Sequence, residues 1–186
     1  MHETTEELAA LDEIISRSFV GAGAHLTSII SDERRLSALD VANYLTGIRH
    51  LIVATTTAKG EPRCSAVDGI FVHGHFWFST SATSVKAQHL EARPALSAAH
   101  IVGDDIGIFV HGSARIVRGA SSESERLNPY WIEVCGATPE NWVDEPRDAR
   151  YIEIIPASFF TYAFDRARFE NLVRPADAES PESTET

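Results

Sequence analysis

The residues best equipped for chemistry lie in the run Phe78-Ser79-Thr80-Ser81-Ala82-Thr83-Ser84-Val85-Lys86. An apolar strand-like segment ends there in five hydroxyl side chains, and a helix-forming segment begins with a lysine in its first turn. Such an arrangement suits a phosphate. The first N–H groups of a helix lack an intrahelical acceptor and carry the positive end of its dipole, hydroxyls donate hydrogen bonds, and an ammonium adds a full charge. A lysine at a helix N-terminus is otherwise mildly unfavourable, and an anion beside it removes the conflict. On spacing alone a second reading stays open, in which Thr80 to Ser84 are loop and capping residues and Lys86 is solvated.

Other reactive side chains offer less. His73-Gly74-His75 supplies two ligand nitrogens with no third ligand at a recognisable spacing, so no metal site is expected. His111, followed by Gly112 inside a strand-like run, reads as a partly buried structural histidine or as a cofactor contact. Cys64 reads as a small strand side chain or as a thiol near a bound ring. Trp131, Trp142 and Tyr130 flank a polar helical stretch and a proline-rich loop, as core or intersubunit contacts or as a substrate lid. The chain has no Ser-His-Asp order, GxSxG, P-loop or strand-linked GxGxxG, which leaves hydrolase, NTPase and dinucleotide-fold chemistry without support.

The elements that must position these residues are mostly short strands. Leu51 to Thr57 is rich in β-branched residues, Ala58-Lys59-Gly60-Glu61 is a turn, and Arg63 to Val72 returns as a second strand. His73-Gly74 turns the chain again into His75 to Thr80, which predicts a three-stranded meander. A helix over Val85 to Ala92 follows, capped by Ser84 or Thr83 and stopped by Pro94. Strands resume over Ala95 to Val102 and Ile106 to Val117, a polar helix spans about Ser121 to Val134, and Tyr151 to Ile155 and Phe159 to Ala163 close the series. Ahead of the strands, Leu8, Leu11, Ile14, Ile15 and Phe19 line one helical face, capped by Thr5 or Thr4, and a second helix spans Ser37 to Tyr44. Short, regularly spaced antiparallel strands predict a mainly β fold: a six- to seven-stranded split barrel with short flanking helices and N-terminal helices. The expected organisation is a helical extension over 1–48, a cofactor-binding barrel over 49–174 and a disordered acidic tail over 175–186.

Composition narrows the partners. The chain has 186 residues, 44% hydrophobic and 23% charged, with a net charge of −11. Nucleic-acid binding draws its affinity from Lys and Arg neutralising phosphates, so an acidic chain argues against DNA and RNA. Cys64 and Cys135 form neither a CxxC pair nor a disulfide framework, which suits a reducing compartment. With no apolar run of about 18 residues and an acidic rather than basic start, the expectation is a cytoplasmic protein without a membrane partner. Only Lys59 and Lys86 among the sixteen basic residues are lysines, and Lys59 sits in the hairpin turn. Lys86 is therefore the lysine with a context to explain.

From Leu51 to Val117, and more weakly to Ala163, the sequence resembles the pyridoxamine 5′-phosphate oxidase-like superfamily of flavin-binding split barrels. The resemblance is carried by the hairpin Leu51 to Arg63, the strand end Trp77-Phe78-Ser79-Thr80, the helix Ser84-Val85-Lys86-Ala87-Gln88-His89-Leu90 and the return Arg93-Pro94-Ala95-Leu96-Ser97. It implies a homodimer with the cofactor at the interface. Ser79, Thr80, Ser84 and Lys86 would hold its phosphate. Arg63, Cys64, Ser65, Ala66 and Val67 would run along its ribityl chain and ring, with Arg63 as a further phosphate or ring contact. His111 would touch the cofactor or, in a haem-binding relative, the iron.

The implied function is an FMN-dependent oxidoreductase acting on an unnamed small molecule. A deazaflavin-dependent oxidoreductase on the same fold, or a non-catalytic flavin or haem binder, are the alternatives. Two departures mark this chain. Val85 stands where an arginine often neighbours the family lysine, and the end Asp165 to Pro175 carries no histidine where pyridoxamine phosphate oxidases place Arg and His against substrate.

Overall fold

The β-branched run before the Ala58–Glu61 turn forms a strand because its alternate residues meet different surroundings. In a computed structural model, which describes residues 1–173, β1 spans Arg49–Thr56, with Leu51, Val53 and Thr55 buried and His50 and Ile52 exposed. The acidic tail expected over 175–186 lies outside the described residues. The other strands are β2 (Pro62–Val72), β3 (His75–Ser81), β4 (Ala95–Val102), β5 (Ile106–Arg118) and β6 (Ala149–Ala163). All pairs are antiparallel, and the order β1-β2-β3-β6-β5-β4 closes on itself as a barrel. Six strands therefore stand where six to seven were expected.

The barrel is filled by alternate residues from every strand. Phe71, Phe76, Phe78 and Phe159 are its largest aromatics, and Phe76 stacks parallel to Phe159 at 6.2 Å. The expected pair of closing strands is one continuous strand. Pro156 and Ala157 read as a break, yet β6 runs through them because the register shifts there: His111 opposes Ser158 and Gly112 opposes Pro156, leaving Ala157 as the extra residue of a bulge. Gly112 is required by this close approach, since a Cβ at that position would lie 2.0 Å from the Ile155 carbonyl oxygen. The glycine thus serves a neighbouring strand, one of the two roles its position suggests.

Six helices flank the barrel among the described residues: α1 (Thr5–Val20), α2 (Ala24–Ile29), α3 (Ala38–Tyr44), α4 (Val85–Ala92), α5 (Ser122–Cys135) and α6 (Arg166–Val173). Thr4 caps α1 through a capping box with Glu7, and the apolar face of α1 sends Leu11, Ile15 and Phe19 into the barrel's own core. Helices α2 and α6 lack the apolar periodicity that marks α1. α2 buries no residue, and α6 buries only Phe169.

Helix α5 packs on the outer face of β2, β3, β5 and β6, where Trp131 meets Ile70, Val72, Trp77, Val117 and Tyr151 in a second apolar cluster. Burying Trp131 to 1% exposure stabilises this contact by roughly 3 kcal/mol. His73 ties the cluster to the N-terminal helix, with Nδ1 2.9 Å from Glu7 of α1 and Nε2 2.8 Å from the Tyr130 hydroxyl of α5. Beside it Glu153 accepts a hydrogen bond from His75 and another from Arg115. No helix among the described residues is long and apolar enough to cross a membrane.

Candidate functional site

The period of two that fills the barrel also decides what β2 presents outside it. Arg63, Ser65 and Val67 oppose the buried Thr55, Val53 and Leu51, so they point toward the interior, whereas Cys64, Ala66 and Asp68 face outward. A cavity of about 340 Å³ lies on this outer surface. Its floor is the β2 stretch from Ala66 to Ile70 together with Ser79 of β3, and Lys86 of α4 borders it. Ile48, just before β1, contributes a further apolar side chain.

The Lys86 region owes its geometry to the hydroxyls. Ser84 caps α4 by accepting the Ala87 N–H at 3.2 Å, and Thr80 donates its hydroxyl to the same oxygen at 2.9 Å. Ser81 accepts the Thr83 N–H, which fixes the turn between β3 and α4. The N–H groups of Val85 and Lys86 lie in the first helical turn and so have no acceptor within the helix. Carboxylates that could compete for Lys86 are engaged elsewhere: Glu91 on the same helix pairs with Arg150, and Asp68 pairs with His50 at 2.8 Å.

Helix α5 and the 3-10 turn Pro139–Trp142 form the opposite wall, through Trp131, Cys135 and Trp142. The two indoles meet edge-to-face at 6.1 Å, and Trp131 meets Tyr151 in the same way at 6.0 Å. Tyr151, the cross-strand neighbour of Ser79, donates its hydroxyl to Glu140 and accepts from the Asn128 amide, which lies 2.6 Å away when its NH₂ is turned toward the phenol. Burial acts to raise the Glu140 carboxyl, but the bonds from Tyr151, Thr138 and the Ala120 N–H outweigh it and hold the group below the usual carboxylate range. Burial, reinforced by that carboxylate, pushes the Tyr151 phenol far up, so it remains a donor. Burial, with Asp68 adding to it, also raises the Cys135 thiol, which keeps it protonated and a weak nucleophile at neutral pH.

Of the residues expected from the sequence, Ala66, Val67, Ser79 and Lys86 border this cavity. Thr80 and Ser84 shape the turn beneath it. Arg63 lies outside the lining and pairs with Glu61 at 2.8 Å, Cys64 is exposed, and Ser65 is half-buried. His111 is exposed on β5, separated from β2 by β4 and β1, with Nδ1 2.8 Å from the Ser97 hydroxyl. Sequence reading did not single out Asp68, Gly69, Ile70, Ile48 or Cys135, although alternation from Ala66 could have pointed to Asp68.

Residues 40–163, about two thirds of the chain, match the family described as pyridoxamine 5′-phosphate oxidase. The chain belongs to that family. No curated protein matches it significantly. Solved structures of the same fold include the conserved hypothetical protein Rv2991 from Mycobacterium tuberculosis, with 20% identity and a TM-score of 0.60 over 82% of this chain and 98% of that one. The haem storage protein HutZ from Vibrio cholerae has 17% identity and a TM-score of 0.57, covering 67% of this chain and 93% of its own. A pyridoxamine 5′-phosphate oxidase-related, FMN-binding protein from Nostoc punctiforme has 13% identity and a TM-score of 0.50, covering 60% and 73%. At these identities the likeness is one of fold.

Proposed function

We propose that the groove between β2 and α5 binds FMN and that the protein is an FMN-dependent oxidoreductase working as a homodimer. One observation carries the reading: Ser79 and Lys86 at a free helix N-terminus share a single cavity with the strand surface of β2 and with two tryptophans. The residues fit the group. An ammonium and unengaged N–H groups suit the phosphate, and the apolar and aromatic walls suit a flat ring. Bound FMN supplies the hydride or electron chemistry, and the chain supplies binding, orientation and exclusion of water. Family membership and the FMN-binding relative from Nostoc punctiforme support this choice.

Other ligands suit the lining less well. Asp68 is the other charged residue bordering the cavity, so a deazaflavin coenzyme with further carboxylates gains no second cation there. Haem needs an axial ligand; no histidine lines the cavity among the described residues, and burial with Asp68 disfavours the thiolate of Cys135, which does line it. Oxidation of pyridoxamine phosphate also loses support in α6. Arg166 is bound to Asp40 at 2.9 Å and Arg168 to Asp105 at 2.8 Å, which commits both guanidiniums to structural pairs.

The homodimer rests on an uncovered sheet face. Across β2, β1, β4 and β5 the outward residues Ala66, Ile52, Ala99 and Phe109 stand in one cross-strand row that ends at Phe160, which Phe19 of α1 covers, and Ile52 and Ile101 are 49% and 54% exposed.

The decisive test is FMN titration of the protein and its Lys86→Ala variant. Loss of a charge-assisted phosphate contact weakens binding by about 1.5 to 3 kcal/mol. Unchanged affinity would remove the phosphate assignment.

A further inference from the structure

We infer that Trp142 holds the ring of the bound cofactor by stacking its exposed indole on a planar heteroaromatic system. The inference rests on the reading of the groove as a phosphate-bearing flavin site, and it concerns the wall of that groove away from the sheet.

Three tryptophans occur in the chain, and this is the one that is not buried. Trp77 and Trp131 are 3% and 1% exposed, whereas Trp142 is 53% exposed at the edge of the cavity it lines. Its exposure does not come from a loose loop. Thr138 and Asn141 close a capping box around the 3-10 turn, Pro139 is buried, and Glu140 reaches both the Tyr151 hydroxyl and the Ala120 N–H. The indole is therefore held in place, with Trp131 against it edge-to-face, while half of its surface meets no protein.

A rigid aromatic displayed at a cavity mouth costs little ordering entropy when a flat guest stacks on it. Lys86, Ser79 and Trp142 border one cavity, so a guest whose phosphate is held by the first two has the indole on a wall of the space left for its ring. The anchored turn makes Trp142 a binding contact for the ring, separate from the cation that holds the phosphate.

The test compares FMN with riboflavin, which has the ring without the phosphate, by fluorescence titration of wild type, Trp142→Ala, Trp142→Phe and Lys86→Ala. Trp142→Ala should weaken both ligands by the same factor, about tenfold, as for loss of one aromatic stacking partner. Trp142→Phe should restore most of that affinity, and Lys86→Ala should weaken FMN while leaving riboflavin unchanged. If Trp142→Ala binds both ligands as wild type does while Lys86→Ala loses FMN, the ring assignment is overturned and the groove reading stands. A wild type that binds neither ligand overturns both.

Discussion

Glu153 offers a test of how charge is held inside the second apolar cluster. Its side chain is 8% exposed on the outer face of β6, with Oε1 2.6 Å from Nδ1 of His75 and Oε2 accepting from Nε of Arg115. Burial acts to raise this carboxyl, but the bonds from His75 and Arg115 outweigh it and leave the group below the usual carboxylate range. Glu153→Gln keeps shape and volume and removes the charge. A hydrogen bond to a charged partner contributes about 1 kcal/mol more than a neutral one, so two such bonds give about 2 kcal/mol of destabilisation. The loss stays short of the roughly 3 to 5 kcal/mol for a fully buried pair because Arg115 is nearly half exposed and solvent screens its charge. Unfolding midpoints should fall by about 4 to 8 °C near pH 7. Because the folded-state pKa lies below the unfolded one, this stability is fully present above the unfolded value of about 4.3. It is lost as pH falls through the folded value. Urea unfolding at neutral pH and below about pH 4 measures it, and the wild-type advantage should shrink in acid. A gap of equal size at both pH values, or no gap at all, would refute the electrostatic account.

Two further substitutions probe the barrel itself. Ile52→Lys places an ammonium in the middle of the uncovered row formed with Ala66, Ala99 and Phe109, and should convert the proposed dimer to monomer in sedimentation velocity; a wild type that is already monomeric at tens of micromolar defeats the dimer reading. Gly112→Ala drives a methyl group into the Ile155 carbonyl at the β5–β6 bulge and should destabilise by about 3 kcal/mol in urea unfolding, whereas an unchanged midpoint would show that the bulge yields at no cost.

Much of the fold was legible because local signals and burial agreed. Ser84 caps α4 and Thr4 caps α1, and the strand ends at Val72 and Val102 fall where the turn residues stand. The exceptions share a physical cause. Pro156 looks like a strand break, and what keeps β6 continuous is Gly112 on another strand, 44 positions earlier. Helix α6 buries only Phe169, and its placement comes from Arg166 reaching Asp40 on α3, a contact no local window contains. The site divides the same way. Ser79 and Lys86 announce themselves through a helix start, but five consecutive residues of β2 cannot all present side chains to one ligand, because a strand turns Arg63, Ser65 and Val67 inward as it turns Ala66 outward. The tryptophan wall has no sequence signal linking it to Lys86, since α5 and its following turn reach the groove only by packing over β2 and β6.

Net charge and local field point in different directions here, and distance decides between them. A chain of net charge −11 repels phosphate at long range, yet charges farther apart than about 8 Å are largely screened at physiological salt. Four of the 27 acids lie at positions 177 to 185, and Glu91, Glu153 and Asp40 are each neutralised by an arginine. At contact distance a single ammonium is worth about 4 kcal/mol toward an anion near a protein surface, before desolvation is subtracted, and the free N–H groups at the start of α4 add to it. The acidity that argues against a polyanion, which must meet many charges at once, therefore does not argue against one phosphate beside Lys86. It predicts instead that such a site resists nucleic acid while holding a small phosphate ester, and that raising salt weakens binding by little, because one short contact, not a field of many charges, would hold the ligand.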